Sequence, residues 1–404
     1  MINNSYSNII NGFLKAIKEN GYDSYDPYDL WSIKYGILAR KIYYRNRVLS
    51  LPLITPILLA DTYFPQIRKL FIKKKKYPIA DAHFILGYIN LYEITENAEY
   101  LSEAIRVSEN LLKSSVNGFS GHCWGYPFDW QNSKGLWKKG TPFITTTPYC
   151  FEAFLRLFDF TKEQKYLDIA YSISLFAYND IKFSEMNDGT LASSYSPFDN
   201  SKVINASAYN GLLLSESYKR FKDEHYRKRA EKLIQFVIKS QNEDGSWYYA
   251  LDEPNDNFID NIHTCFILKN LIKANYYFRN DDFEKAIDNG YKYYLKSLID
   301  TKGYPKSFAK LHRMNLIKTD LYDYAEGIIL GLLMTEKNNE AKVLVEKLMD
   351  IISANYVSNQ GTFTSKVNNL GFKINIPYLR WPQSQIFYAF TSYLKFNLIN
   401  FTER

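Results

Sequence analysis

The sequence predicts an all-α fold in which six helical hairpins close into a toroid, an (α/α)6 barrel. One kind of junction recurs along the chain, in which a polar or aromatic cluster leads into an apolar helix. These junctions begin at Asp81, Thr145, Asn205, Asp260, Asp320 and Arg380. Their spacing is about sixty residues, the length of two helices and two connections. Units of this size cannot bury their apolar faces alone, and six of them can form a closed ring.

Each unit is predicted to contain two antiparallel helices. Short polar turns separate them, as at 161–165, 222–225 and 280–282. The segment 1–80 precedes the first unit, and its helices are expected to close the ring by pairing with the last helix, Pro382 to Leu398. Apolar residues follow helical spacing in both halves of a unit, at positions 151, 154, 155 and 158 and again at 230, 233, 234 and 237.

Longer connections lead from the second helix of one unit to the first helix of the next. They combine glycine with aromatic residues, as in Gly118–Tyr126, Asp244–Trp247 and Gly303–Tyr304. Glycine at such places is typical of tight turns. If the units form a ring, these connections all lie on one rim, around the mouth of a central funnel.

The 404 residues are predicted to form one domain, since no Pro/Gly/Ser-rich linker or low-complexity tract interrupts the repeat. A hydrophobic fraction of 46% is enough for a sizeable core. The longest apolar run, Leu49 to Ala60, is too short to span a bilayer and contains Pro52 and Pro56. Met1 to Asn11 lacks the basic start and apolar stretch of a signal peptide. We therefore expect a cytoplasmic protein.

Three cysteines, Cys123, Cys150 and Cys265, fall in three different units and are predicted to remain thiols. Two of them stand near histidines at the predicted mouth, which leaves zinc as an alternative. However, the sequence contains neither Cys-x-x-Cys nor His-Glu-x-x-His, whereas a zinc site needs three or four converging ligands. The sequence therefore predicts neither a metal nor another cofactor.

A basic cluster of Arg68, Lys69 and Lys73–Lys76 follows the apolar run. Its simplest interpretation is a solvated surface in a chain of net charge +7. The alternative is attraction to an acidic glycan or to an anionic membrane surface, which would be at most a peripheral membrane contact. No nucleic-acid-binding motif accompanies the charge, so we expect no nucleic-acid partner.

The junctions are rich in side chains that suit a carbohydrate. The apolar C–H faces of sugars stack on aromatic rings, and sugar hydroxyls bond to polar side chains. Core packing is the alternative for each aromatic taken singly, but four of the six tryptophans stand at junctions, which favours a shared surface. The predicted substrate-binding residues are Trp124, Tyr126, Trp130, Asn205, Trp247, Tyr248, Arg380, Trp381 and Gln383.

Five residues are candidates for chemistry. His263 is the best candidate for proton transfer, because Asp260 lies three residues earlier on the same helical face and is placed to orient the imidazole. Asp129 follows an aromatic loop, and Tyr195 is a candidate phenolic acid or base. Asp320 stands where a helix N-cap belongs, so capping explains this residue as well as catalysis does.

Three stretches agree in order and spacing with one family: Trp124–Gln131, Ser194–Ala206 and Gln241–Thr264. Together with Tyr22–Pro27 they resemble the VpsJ-type exopolysaccharide biosynthesis proteins, over residues 20–330. The resemblance implies a six-hairpin toroid and a role in making or modifying bacterial surface polysaccharide, with an oligo- or polysaccharide as substrate and polysaccharide-assembly proteins as partners. The chain differs from the family pattern at Tyr322, where a histidine is usual, and at Cys265, where a glycine is usual.

The sequence leaves four functions open. Glycoside hydrolysis needs two carboxylates around the scissile bond, drawn from the three aspartates above. Uronate C5-epimerisation or lyase chemistry needs a base and an acid on opposite faces of the sugar ring and a cation for the carboxylate. The candidates for these roles are Tyr195, His263, Tyr248 and Arg380. A noncatalytic glycan-binding scaffold uses the same surface without turnover. The Gln241–Trp247 element also occurs in terpene cyclase and prenyltransferase toroids, although this chain has no Asp-x-Asp-Asp or Asp-Asp-x-x-Asp motif.

Overall fold

A computed structural model describes residues 4–252 and 257–402. The described helices are α1 (Asn4–Asn20), α2 (Asp29–Ser32), α3 (Lys34–Arg45), α4 (Arg47–Tyr63), α5 (Pro78–Thr95), α6 (Ala98–Lys113), α7 (Thr147–Thr161), α8 (Gln164–Asn179), α9 (Ile204–Phe221), α10 (Glu224–Lys239), α11 (Asn261–Phe278), α12 (Asp281–Tyr293), α13 (Leu321–Met334), α14 (Asn339–Asn355) and α15 (Ser384–Thr402). The described strands are β1 (Trp130–Asn132), β2 (Gly135–Trp137), β3 (Phe183–Glu185), β4 (Leu191–Ser193), β5 (Ile259–Asp260), β6 (Phe308–Lys310), β7 (Ile317–Asp320), β8 (Lys366–Asn368) and β9 (Lys373–Ile374).

Six of the described helices, α5, α7, α9, α11, α13 and α15, form the inner ring of an (α/α)6 toroid. The predicted fold class is therefore confirmed. Each inner helix begins within four residues of its predicted junction, from one residue at α11 (Asp260 against Asn261) to four at α15 (Arg380 against Ser384). Capping explains the accuracy at α11 and α13, because Asp260 and Asp320 accept hydrogen bonds from first-turn amides.

A circle of ring contacts near the starts of the inner helices shows that these helices run parallel around a common axis. From α5 onward, the centroid separations between successive neighbours are 4.7, 5.5, 5.4, 6.1 and 4.4 Å. Tyr388 of α15 lies 5.6 Å from His83 of α5, so a ring contact also joins the last inner helix to the first. We call this circle the aromatic belt, and its members are His83, Tyr149, Tyr209, Phe266, Tyr322 and Trp381.

The outer helices α6, α8, α10, α12 and α14 each pack against the inner helix that precedes them. The sixth outer position belongs to α1, whose Tyr6 and Phe13 rings lie 6.0 Å from Phe390 and 5.6 Å from Phe387 of α15. Helices α2, α3 and α4 instead pack on one another, and α2 and α3 also pack against β1. Within the segment 1–80, α1 is therefore the helix that completes the outer layer.

The strands lie in the connections between hairpins. β1–β2, β3–β4 and β5–β6 are antiparallel pairs, and β7–β8–β9 is a three-stranded antiparallel sheet. The main hydrophobic core runs from Tyr6 to Leu394 and includes side chains of both helical layers. Over the described ranges, no helix combines the length and the apolar composition that crossing a bilayer requires.

A left-handed residue ends four of the inner helices. Glu96, Lys162, Lys222 and Arg279 have φ values of 55°, 58°, 60° and 43°. The next residue is an asparagine or aspartate that caps the following outer helix at α6, α10 and α12. A left-handed conformation costs a residue with a Cβ roughly 1–2 kcal/mol. These short turns between helices are therefore strained, and the caps and helix packing offset the strain.

Replacing Lys222 by glycine should raise the free energy of unfolding by about 1 kcal/mol, because glycine adopts a φ of 60° without the Cβ clash. Chemical denaturation followed by circular dichroism measures the change. The matched control is Lys228→Gly on the exposed side of α10, which should lower the stability by about 1 kcal/mol. An equal loss in both variants would show that the turn at Lys222 is not strained.

Candidate functional site

A carboxylate fixes the orientation of His263 at the mouth of the funnel. The His263 Nδ1 atom lies 2.8 Å from both carboxylate oxygens of Asp260. Because a carboxylate only accepts hydrogen bonds, Nδ1 carries the proton and Nε2 is left as an acceptor. Asp260 also accepts the backbone N–H of His263 at 2.9 Å as the N-cap of α11. The cap therefore positions the imidazole, in the way that the spacing of the two residues predicts.

Aromatic rings surround this imidazole on several sides. Tyr249, Phe258 and Phe266 contact it edge-on, with centroids at 4.8, 5.7 and 5.8 Å. Phe266 belongs to the aromatic belt, so His263 lies at the level of the belt. Its side chain keeps 24% of its surface exposed. The site thus combines apolar walls with a partly exposed imidazole.

Four of the predicted binding and catalytic residues are half-buried at the mouth, each with an aromatic partner. Half-buried rings can offer a face to the C–H surface of a sugar. Burial raises the pKa of Tyr195 well above its usual value, so this phenol keeps its proton. The four ring pairs are Tyr126 with Phe128 (5.4 Å), Tyr195 with Trp137 (5.4 Å), Trp130 with Tyr28 (4.2 Å) and Trp381 with Tyr322 (4.4 Å).

Asp320 holds several structural contacts at once. It accepts the Tyr322 backbone N–H at 3.1 Å as the N-cap of α13. The Trp381 indole Nε1 lies 2.9 and 3.0 Å from its two carboxylate oxygens, and Lys366 Nζ lies 3.3 Å from Oδ2. The geometry therefore favours capping and the positioning of Trp381 over a direct chemical role for Asp320.

Arg380 is buried, and its charge is paired inside the protein. Its Nε and Nη2 donate to the two Asp26 oxygens at 2.6 and 2.8 Å. Burial alone would lower the pKa of Arg380, but the Asp26 carboxylate raises it well above its usual value. The Tyr28 and Tyr126 rings lie 5.1 and 4.8 Å from the guanidinium carbon. Arg380 therefore supports the aromatic mouth, and the prediction that it binds substrate directly is corrected.

Trp124 and Trp247 lie in the core and not at the mouth. They are 0% and 2% exposed. Each indole Nε1 donates at 2.8 Å to a carbonyl in the last turn of an outer helix, Leu111 of α6 and Val237 of α10. The two tryptophans therefore brace a connection against the helix that precedes it. The structure corrects the prediction that they bind substrate, because a buried indole with its N–H engaged offers no face to a ligand.

Gln383 and Asn205 are also buried. The Gln383 amide accepts the Phe363 backbone N–H at 2.9 Å and donates to the Phe363 carbonyl at 2.7 Å, so it is a structural bridge and its predicted binding role is corrected. Asn205 lies in the first turn of α9, and its Oδ1 has no hydrogen-bond partner among the described residues. The Thr146 hydroxyl at the start of α7 is also buried without a hydrogen-bond partner among the described residues. Each such buried polar group costs free energy while it stays unpaired.

Asp129 and Tyr248 contact loop residues. Asp129 Oδ1 accepts the Lys139 backbone N–H at 2.7 Å, and Oδ2 lies 3.8 Å from Lys138 Nζ. The Tyr248 phenol is hydrogen-bonded to the ammonium of Lys310, which also lies 4.6 Å from the tyrosine ring. Both residues therefore fix connections at the rim, and their predicted roles in the site stay predictions.

His83 is a residue that the sequence analysis missed. It is buried between Tyr149 and Tyr388, and its Nδ1 has no hydrogen-bond partner among the described residues. Burial lowers the pKa of His83 to about 3, and the nearby charge of Lys269 contributes in the same direction. The imidazole is therefore neutral near pH 7. A polar pair in an apolar run, Asp81 and His83, is the signal that would have drawn attention to it.

Half-buried and buried charges connect the inner helices. Lys273 of α11 donates to Glu152 of α7 at 2.9 Å, although α9 separates these helices in the ring. Lys269 forms an ion pair with Glu326 of α13. Burial alone would raise the pKa of Glu152, but Lys273 lowers it below its usual value. Charged side chains therefore fill part of the toroid interior.

Within residues 4–252 and 257–402, no three His, Cys, Asp or Glu side chains converge in a way that could hold a metal ion. Cys123, Cys150 and Cys265 are buried free thiols. Burial raises the pKa of the Cys123 thiol to about 12 and those of the other two well above the usual value. All three cysteines therefore stay protonated.

Comparison with solved structures supports this fold at low sequence identity. The chain is similar to a cellobiose 2-epimerase from Bacillus thermoamylovorans, with a TM-score of 0.61, 13% identity, and coverage of 79% of this chain and 88% of that chain. It is also similar to an unsaturated glucuronyl hydrolase specific for heparin, with a TM-score of 0.60, 12% identity, and coverage of 81% of this chain and 88% of that chain. For a GH76 α-mannanase from Bacteroides thetaiotaomicron the TM-score is 0.58 and the identity 11%, with coverage of 80% of this chain and 86% of that chain. These neighbours are carbohydrate-active enzymes with six-hairpin toroids.

No protein-family model matches the sequence, and no curated protein matches it. The resemblance to exopolysaccharide biosynthesis proteins therefore stays a prediction.

Replacing Asp26 by asparagine should lower the free energy of unfolding by about 3–5 kcal/mol, because it leaves the Arg380 charge buried without its carboxylate. Urea denaturation measures the effect. Glu103→Gln, which breaks the exposed pair with Arg106, is the control and should change the stability by less than about 1 kcal/mol. Similar effects of the two substitutions would contradict a special role for the buried pair.

Replacing Asp81 by asparagine should stabilise the protein more at pH 8 than at pH 5. Burial raises the pKa of Asp81 to about 8, above its value of about 4 in an unfolded chain. The folded state keeps a proton that the unfolded state releases, so this residue weakens folding progressively as the pH rises from about 4 to 8. Melting temperatures at both pH values test this. Asp188→Asn is the control, since the Thr190 and Lys239 side chains lower the pKa of Asp188 to about 2, below the tested window.

Proposed function

We propose that the protein is an enzyme that moves a proton on a sugar unit of an oligo- or polysaccharide, in the assembly or modification of a bacterial surface polysaccharide. The observation that carries this proposal is the His263–Asp260 pair, in which Nδ1 is protonated and Nε2 is left as an acceptor. A neutral imidazole held in this way is suited to act as a general base near neutral pH.

In this proposal Tyr195 is the matching acid. Its raised pKa keeps the phenol protonated. His263 takes the proton from the carbon next to a sugar carbonyl, and Tyr195 gives a proton to the carbonyl oxygen. In an epimerisation, water gives a proton to the opposite face of the carbon and His263 releases its proton to the water that remains. In an isomerisation, His263 returns its proton to the neighbouring carbon. In both cases the Tyr195 phenolate takes back a hydroxyl proton as the carbonyl re-forms. The half-buried rings of Tyr126, Trp130 and Trp381 hold the sugar.

Epimerisation, isomerisation or lyase chemistry fits the site better than glycoside hydrolysis. Hydrolysis needs two carboxylates roughly 5–10 Å apart around the bond. Asp320 is engaged by a helix N-terminus and by the Trp381 indole. Asp129 accepts a loop amide, and Asp260 orients His263. Each of these three carboxylates has a structural partner, so the site does not offer the two free carboxylates that hydrolysis requires.

The proposed substrate is a neutral sugar unit with an accessible carbonyl, and this substrate is favoured over a uronate. The cation expected to bind a uronate carboxylate was Arg380, and Asp26 neutralises it. The similarity to a cellobiose 2-epimerase is compatible with this substrate class, although it concerns the fold alone. Polysaccharide-assembly proteins remain proposed partners.

A noncatalytic glycan-binding scaffold is the second candidate, because the same half-buried rings bind sugars without turnover. The terpene-cyclase alternative is weaker, since the Gln241–Trp247 element has a structural use. The Gln241 amide donates to the carbonyls of Gly245 and Ala286 at 3.0 and 2.9 Å, so it ties the connection to α12.

Replacing His263 by glutamine should lower turnover by about 10²- to 10⁴-fold with little change in melting temperature. The assay incubates oligosaccharides from bacterial surface polysaccharides with the enzyme in D₂O, and mass spectrometry detects deuterium at carbon. His225→Gln is the control, since this histidine is exposed on α10 and should leave turnover unchanged. Asp260→Asn should also slow the reaction, because the amide keeps the helix cap but no longer fixes the tautomer.

The products distinguish the alternatives. Deuterium without chain cleavage supports an epimerase or isomerase, and an unsaturated product supports a lyase. Shortened chains without deuterium would replace the proposal by hydrolysis. Glycan binding without any product would replace it by the scaffold. Full turnover in folded His263→Gln protein would remove His263 from the mechanism.

A further inference from the structure

The segment around α4 exposes an unusual number of large apolar side chains. Leu70, Val48 and Phe64 are 82%, 74% and 70% exposed. Exposed apolar patches of this kind mark interaction surfaces in soluble proteins. We call this surface the apolar face, and its members are Val48, Leu49, Leu51, Leu59, Phe64, Ile67, Leu70 and Phe71.

The apolar face is separate from the small core beneath α4. That core consists of Leu30, Ala39 and Ile57, with partly buried neighbours on α2 and α4. Pro52 and Pro56, one helical turn apart, lie on the exposed side of α4. The helix therefore buries one side against α2 and α3 and leaves its other side uncovered within the described chain.

The β8–β9 turn extends the same surface. Asn369 in this turn accepts a hydrogen bond from the Tyr63 phenol at the end of α4, at 2.8 Å. Its neighbours Leu370 and Phe372 are both highly exposed. Two segments that are far apart in sequence thus present apolar side chains side by side.

Exposed lysines adjoin the apolar face. Lys69, Lys73, Lys74 and Lys76 are exposed, and they form no ion pair among the described residues. Arg68 differs, because it is buried against Asp29 and Asp61, which corrects its placement in the basic cluster. The surface therefore combines apolar side chains with unneutralised positive charge.

Two helices link this surface to the mouth of the funnel. Helices α2 and α3 pack against β1, and the Arg40 guanidinium lies 3.9 Å from the centre of the Trp130 ring. Tyr28, next to α2, contacts both Trp130 and Trp381. Helices α2 and α3, on which α4 packs, thus connect the apolar face to the aromatic rings of the candidate site.

We propose that the apolar face and its lysines dock the protein peripherally on an anionic phospholipid bilayer. The apolar side chains enter the headgroup region, and the lysines contact lipid phosphates. Charge complementarity favours this partner over a second copy of the chain. A two-fold interface through this face would bring the same lysine-rich segments together, and their like charges would repel.

Docking through this face would hold the toroid at the bilayer surface. Combined with the proposed function, on which this step alone rests, it assigns as substrate a glycan that is held at the membrane surface. Vesicle binding and turnover are measured separately, so a failure of either proposal is distinguishable from a failure of the other.

The test is flotation of the full chain with phosphatidylcholine vesicles, with and without phosphatidylglycerol. We expect binding to the anionic vesicles and weaker binding at high salt. Each lysine near an anionic surface raises the partition coefficient onto the vesicles by about fivefold. The triple variant K73Q/K74Q/K76Q should therefore lower vesicle binding by roughly a hundredfold. The matched control is K228Q/K232Q/K285Q on the outer helices α10 and α12, which should bind like the unchanged protein.

A second variant tests the apolar contribution. L70S/F71S should lower partitioning by about tenfold for each side chain, whereas Val343→Ser, at an exposed position on α14, should have no effect. Melting temperatures confirm that the variants are folded. Absence of binding to anionic vesicles would overturn the proposal. A dimer by light scattering that L70S/F71S disrupts, without vesicle binding, would assign the face to a second copy instead.

Discussion

Closure of the inner ring is the constraint on which the rest of this structure depends. Helices α5 and α13 are buried along most of their length, and an inner helix is covered only when two inner neighbours and one outer helix pack against it. The contact between His83 of α5 and Tyr388 of α15 joins the first inner helix to the last. Closure also sets the level of the aromatic belt, because ring contacts require the six helix starts to share one height. The mouth above the belt is a consequence of that alignment.

The candidate site is built from the residues that begin the inner helices. Asp260 caps α11 and orients His263 with the same carboxylate, and Asp320 caps α13 while it positions Trp381. Arg380 and Asp26 lie behind the mouth and hold its tyrosines in place. Structural bonds thus fix the orientations of the mouth residues before any ligand binds, which is the form of preorganisation that chemical sites use.

The helix starts were predictable because their signals are local. A capping aspartate and the apolar spacing after it lie within a few residues of each other, and both have the same role in the folded chain that they indicate in the sequence. Partners that are distant in sequence were not predictable. The residue types of Trp124 and Trp247 suit a sugar, and only the carbonyls of the preceding helices show that these rings face inward. Arg380 was expected to be free because its partner, Asp26, lies 354 positions away. His83 was missed because the polar pair of Asp81 and His83 in an apolar run draws attention to the residue but does not show that the folded ring encloses it.

The bonds between the two ends of the chain determine when the fold can be completed. Tyr6 reaches Asp350, and Asp26 reaches Arg380, across separations of 344 and 354 residues. During synthesis the middle hairpins can pack on their immediate neighbours, whereas α1 and α5 have to wait for α15 to emerge. Contacts over such separations form slowly. Until then the inner side of α5 remains exposed, so the ring closes only when α15 packs against α1 and α5.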